Sequence, residues 1–121
     1  MTDSPTLPLL DTVIDALEEM KARNIVKMDI GKLTSIADVM VVASGTSSRH
    51  VKALADNVAE RAKAAGTMPI GVEGQQNAEW ILVDLGDVIV HVMQPATREY
   101  YDIERLWKDP AGLPTRAGED S

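Results

Sequence analysis

The stretch Trp80-Ile-Leu-Val-Asp-Leu-Gly-Asp-Val-Ile-Val-His-Val-Met93 constrains this chain more than any other. Two β-branched-rich runs flank Gly86-Asp87, a two-residue hairpin turn with glycine first, the pattern of a type II′ turn. Such a turn fixes the register of both strands. It pairs Leu85 with Val88, Asp84 with Ile89, Val83 with Val90, Leu82 with His91, Ile81 with Val92, and Trp80 with Met93. Side chains alternate along a strand, so the hairpin has two unlike faces. Ile81, Val83, Leu85, Val88, Val90 and Val92 form an aliphatic face that belongs under helices. Trp80, Leu82, Asp84, Ile89, His91 and Met93 form a mixed face, neither a clean core nor a clean solvent side.

The rest of the chain supplies the covering elements. Pro8 suits a first helical position, and Leu10, Val13, Ile14, Leu17 and Met20 follow helical spacing to about Arg23-Asn24. Ile25–Ile30 reads as a strand and Gly31-Lys32 as a turn. Asp38–Ala43 reads as a second strand, with Val39, Val41 and Ala43 on one side and Asp38, Met40 and Val42 on the other. Ser47 or Ser48 caps the next helix, whose buried stripe is Val51, Leu54, Ala55, Val58 and Ala62; Gly66 stands where a C-cap glycine belongs. Pro69–Val72 reads as a short strand at an edge. Pro95 opens one last helix with Tyr100, Ile103, Leu106 and Trp107 on its apolar side. The order is α-β-β-α-β-β-β-α, an α/β fold with a single mixed sheet of about five strands and flanking helices.

A chain of 121 residues suits one domain. Residues 7–109 make up that domain. Residues 1–6 are expected to be disordered, and residues 110–121 lack periodicity and are expected to form a disordered tail. There is no cysteine, which excludes disulfides, thiolate metal sites and cysteine nucleophiles and suits a reducing compartment. No apolar run reaches the roughly 20 residues of a membrane span, and the N-terminus lacks the basic region of a secretory signal. A cytoplasmic location is expected, with no membrane partner. Acids outnumber bases 19 to 12, for a net charge of −7. Binding through nucleic-acid phosphates wants the opposite sign. The same field speeds encounter with a basic protein.

The mixed face has three readings: a further helix covers it, it is tolerated surface apolarity, or it is a partner site. His91 has the chemistry of a general base or metal ligand, but no second histidine accompanies it on its strand, and a hydrogen bond to a carboxylate such as Asp84 is the simpler reading. Gly45-Thr-Ser-Ser-Arg49 joins a strand to a helix, as phosphate sites do, yet it lacks the second glycine and the lysine of a P-loop; a helix cap is the simpler reading. Asp84 and Asp87 straddle a turn, whereas two-metal chemistry wants carboxylates projecting together from one face. Arg98, near a helix start, is mildly unfavourable there, so it is held by an ion pair or a partner.

Asp38-Val-Met-Val-Val-Ala-Ser-Gly-Thr-Ser-Ser-Arg-His-Val51, Gly71-Val-Glu-Gly74, Ala78-Glu-Trp80, Val83-Asp-Leu-Gly-Asp-Val-Ile-Val-His-Val92, Arg98-Glu-Tyr-Tyr101 and Glu104-Arg-Leu-Trp107 together resemble the ribosomal silencing factor, or Iojap-like, family over about residues 9–108. The resemblance implies a nucleotidyltransferase-like fold without the catalytic carboxylates, no enzymatic activity and no cofactor. It implies a translational repressor that binds large-subunit ribosomal protein fourteen on the intersubunit face of the large ribosomal subunit and sterically blocks joining of the small subunit, notably when nutrients are scarce. On that reading Trp80, Leu82, Ile89 and Met93 form the apolar centre of a partner-binding face, with His91 and Met40 beside them. Glu73, Asp84 and Asp38 pair with cations of the partner, and Arg98 is a further candidate contact. Two alternatives stand against it. One is a metal-dependent nucleotide-binding or nucleotidyl-transferring enzyme built on the Gly45 loop and Asp84; the other is a homodimer of the free protein through the same face.

Overall fold

The computed structural model describes residues 6–108. Along the chain run α1 (Thr6–Glu19), β1 (Arg23–Asp29), β2 (Val39–Ser44), α2 (Ser48–Ala64), β3 (Gly71–Glu73), β4 (Trp80–Asp84), β5 (Val88–Met93), α3 (Pro95–Tyr101) and α4 (Ile103–Lys108). The five strands form one sheet in the order β1-β2-β5-β4-β3. β2 and β5 run parallel and the other neighbours antiparallel, so the sheet is mixed, as expected. Every β4–β5 pair from Trp80↔Met93 to Asp84↔Ile89 follows the register that the turn dictates. Gly86 takes a φ of +90° at that turn, a conformation glycine adopts without a Cβ penalty, and the Leu85 N–H donates to the Val88 carbonyl.

The aliphatic face is the main core. Ile81, Val83, Val88, Val90 and Val92 are fully buried there against Val13 and Leu17 of α1 and Val51, Leu54 and Val58 of α2. At roughly 25 cal/mol per Å² of apolar surface removed from water, this packing supplies most of the driving force for the fold. The Ser47 hydroxyl caps α2 by accepting the His50 N–H at 3.1 Å, so the Gly45 loop is the helix cap that its sequence suggested. His50 in turn accepts the Thr46 N–H on Nδ1 at 2.9 Å, and its Nε2 lies 2.8 Å from the Met20 carbonyl oxygen. Glu19 accepts from Asn57 and Arg61, tying α1 to α2; the Asn57 hydrogen bond foremost, with the Arg61 charge, holds its carboxyl below the usual range.

Both long helices end in the same motif, and only one end was legible. At α2 the Gly66 N–H donates to the Lys63 carbonyl and the Thr67 N–H to the Ala62 carbonyl, with Gly66 at φ +102°. This is the Schellman arrangement. At α1 the Lys21 and Ala22 N–H groups donate to Glu18 and Leu17 in the same way, with Lys21 at φ +63°. Here a lysine occupies the glycine position, so α1 stops at Glu19 although the apolar spacing continues to Met20. β1 accordingly begins earlier than Ile25, with a bulge between Arg23 and Val26. β2 starts at Val39, one residue after Asp38, and β3 covers only Gly71–Glu73 rather than Pro69–Val72.

The largest departure lies at the C-terminal end. The single expected helix is two short ones, broken at Asp102, which sits in the left-handed region at φ +46°. Tyr100, expected on the apolar side, is 81% exposed. Thr6, expected in a disordered segment, belongs to α1; the expectations for residues 1–5 and 110–121 fall outside the described residues.

Candidate functional site

The mixed face is divided between cover and exposure. On the β1–β2 side, Met28, Ile30, Ala37, Met40 and Val42 form a second, smaller core. Ile103 and Trp107 of α4 pack onto it, together with Val26 and Ile89. The further covering helix raised by the sequence therefore exists, but it is short and covers one part of the face. On the β4 side Trp80 and Leu82 stay half-buried and Glu73, opposite Leu82, is exposed.

Position sorts the ten candidate residues. Trp80, Leu82, Ile89 and Asp84 are half-buried and reach solvent; Glu73 and Asp38 are exposed. Met40 and Met93 are buried, Met93 completely, and so serve the interior rather than a surface. Arg98 is enclosed as well. Its Nε donates to Glu104 Oε1 at 2.8 Å, one terminal nitrogen to Glu104 Oε2 at 3.1 Å, and the other to the Ser44 hydroxyl at 2.8 Å. The guanidinium fork thus binds a carboxylate two-handed and clamps α3 to α4 and to the end of β2. Of the two readings open for Arg98, the ion pair is the one present.

His91 needs a correction. Its expected partner was Asp84, but the Asp84 carboxylate accepts the Gly86 N–H at 2.9 Å and so braces the turn. His91 Nδ1 instead accepts the Trp80 indole N–H at 2.9 Å. An indole nitrogen only donates, so Nδ1 is bare and the neutral ring carries its proton on Nε2. Burial pushes the imidazole down from its ordinary 6.5 to about 4, which keeps it neutral at physiological pH. The two rings lie 5.8 Å apart.

Two site residues escaped the sequence reading. Tyr101 packs against the indole at a tilt, 4.9 Å between ring centroids, and Tyr100 meets Tyr101 edge-on at 4.9 Å. Trp80, Tyr101 and Tyr100 thus form an aromatic string that begins in the sheet and ends in solvent. One signal was available: adjacent residues of a helix point about 100° apart, so Tyr100 and Tyr101 cannot both face the sheet. Gly74 serves the same region. A Cβ there would lie 2.1 Å from the Trp80 carbonyl oxygen, so only glycine lets the loop after β3 close over the start of β4.

Asp84 and Asp87 stand on either side of the turn, and among the described residues no group of three or more His, Asp or Glu side chains is placed to hold a metal ion. Nor is any described helix long and apolar enough to cross a membrane.

Comparison with known proteins places this architecture. The family model described as "Ribosomal silencing factor during starvation" matches residues 3–120. A ribosomal silencing factor of Chromobacterium violaceum is 54% identical over 94 residues, covering 78% of this chain and 77% of that protein. One of Haemophilus influenzae is 44% identical over 101 residues, covering 84% of this chain and 99% of the relative. The X-ray structure of a Chromobacterium violaceum protein superposes with a TM-score of 0.83 at 50% identity, over 84% of this chain and 85% of the other.

Proposed function

The chain belongs to the ribosomal silencing factor family, and from that premise we propose that it represses translation in the cytoplasm by occupying the large ribosomal subunit. It binds large-subunit ribosomal protein fourteen on the intersubunit face and excludes the small subunit by its volume, as starvation demands. No bond is made or broken in this mechanism: a folded domain held on the joining face is sufficient.

The observation that carries this reading is the half-exposed Trp80–Leu82 patch, extended by Tyr101 and edged by Glu73. Aromatic side chains bring large contact area at small entropic cost, and a few such anchors carry most of the energy of an interface. The net charge of −7 favours a basic ribosomal protein over bare phosphate. Glu73 and Asp38 are exposed carboxylates suited to the rim, where charges steer encounter more than they hold it.

The test is sedimentation of the purified protein with separated ribosomal subunits, wild type beside Trp80→Ala. Wild type is expected to travel with the large subunit and suppress joining. Trp80→Ala is expected to bind weaker by about 2 kcal/mol or more, the size of a hot-spot truncation, while circular dichroism shows the fold intact. A folded variant that binds like wild type removes Trp80 from the interface.

A further inference from the structure

His91 is a buried polar side chain of the mixed face, 7% exposed, and its ring has two nitrogens in different situations. Nδ1 is committed to the Trp80 indole. Nε2 has no hydrogen-bond partner among the described residues. Nor is it sealed off, because among the described residues no buried side-chain nitrogen or oxygen lacks a partner. Its N–H therefore keeps some access to solvent, on the face it shares with Trp80 and with Leu82, the residue directly across the ladder. A donor so placed is largely stripped of water, and a partner that covers it must satisfy it or lose about one hydrogen bond's desolvation.

We infer that His91 Nε2–H is a tautomer-fixed donor at the centre of the binding face, and that it takes a backbone carbonyl oxygen of the protein that docks there. The inference rests on the reading of this face as the ribosomal-protein surface. An oxygen is required because the site offers only a donor. A neutral carbonyl is required because a partner carboxylate meets a chain of net charge −7 with Glu73 and Asp84 nearby. A lysine or arginine head is refused at this point, since donor would face donor; partner cations belong at the rim instead. Trp80 then has two tasks: its ring offers apolar area, and its N–H selects the tautomer that makes His91 a donor outward. A neighbouring group commonly fixes a histidine's proton in this way.

Two isosteres separate the ring's two nitrogens. Asparagine at position 91 keeps an oxygen near Nδ1 to accept from Trp80 but has nothing at Nε2. Glutamine keeps an amide N–H near Nε2. Binding of both variants to purified large subunits is measured beside wild type and Trp80→Ala. His91→Asn is expected to bind about tenfold or more weaker, the scale of a lost buried hydrogen bond, and His91→Gln to recover most of that loss. Nitrogen-15 NMR of the free wild-type ring at pH 7 is expected to show the proton on Nε2. The inference is overturned if His91→Asn binds like wild type. Equal weakening of both variants, which means lost packing alone, overturns it too, as does a free-state proton on Nδ1. If wild type binds and Trp80→Ala does not, while His91→Asn is unaffected, the face stands and only the donor role falls. No wild-type binding to the large subunit removes the proposed function, and this inference with it.

Discussion

The two faces of the sheet are made by the same strands and answer to different demands. The aliphatic face lies under helices of 14 and 17 residues and holds fully buried valines and isoleucine. The mixed face is covered only in part, by helices of 7 and 6 residues joined through a left-handed aspartate. Helices that short do not persist alone in water. They stay because Arg98 clamps them to each other and to β2, and because Ile103 and Trp107 dock on the small second core. One face thus spends its surface on stability. The other leaves Trp80, Leu82 and Tyr101 partly open to solvent and secures its cover with a polar clamp.

Three measurements test this division. Leu54→Ala, which opens a cavity in the fully buried main core, is expected to lower the unfolding free energy by about 3.5 kcal/mol in urea titration. A loss below about 1 kcal/mol would mean that the covered face is not the one that holds the domain. Next is acid. The folded-state pKa of His91 lies below its unfolded value of 6.5, at about 4, because the ring is buried. Its neutral form is the one that the fold accepts, so stability is complete above pH 6.5 and falls as pH drops toward 4. The loss reaches ~3 kcal/mol near pH 4 and should vanish from the pH profile of His91→Gln. A wild-type profile as flat as the variant's would show that the mixed face leaves its histidine as wet as the unfolded chain does. The smallest effect is expected for Arg98→Met, about 2 kcal/mol, because an enclosed carboxylate loses its bidentate partner. Hydrogen exchange should then quicken in α3 and α4 and not in α2; uniform quickening would erase the distinction between the faces.

How much of this was legible from residues alone depended on how local the cause was. The hairpin register followed from Gly86-Asp87, and the end of α2 from Gly66, because one residue type sets each geometry. The end of α1 was hidden because Lys21 adopts the left-handed conformation without advertising it. Asp102 hid the break between α3 and α4 in the same way. Arg98 pairs with Glu104 six positions on, a separation that no straight helix brings together, so the clamp became visible only with the break. His91 had two diagonal neighbours across the ladder, Trp80 and Asp84. The pattern narrowed the choice to these, and the turn's need for a cap on Gly86 N–H decided it. As for the face itself, alternation showed that its composition was unusual; how much of it α4 covers is a tertiary fact.

The parallel pairing of β2 with β5 has a consequence for how the chain is made. β5 lies at the centre of the sheet, yet it is synthesised after α2, β3 and β4. During translation β2 therefore leaves the exit tunnel with one edge paired to β1 and the other bare. The β4–β5 hairpin must form as a unit and then insert beside it. Non-local closure of this kind is slow compared with assembly from adjacent segments, and an unpaired strand edge is a template for aggregation while it waits. A nascent chain stalled before Val88 holds every residue of α1 and α2 and no central strand for them to cover.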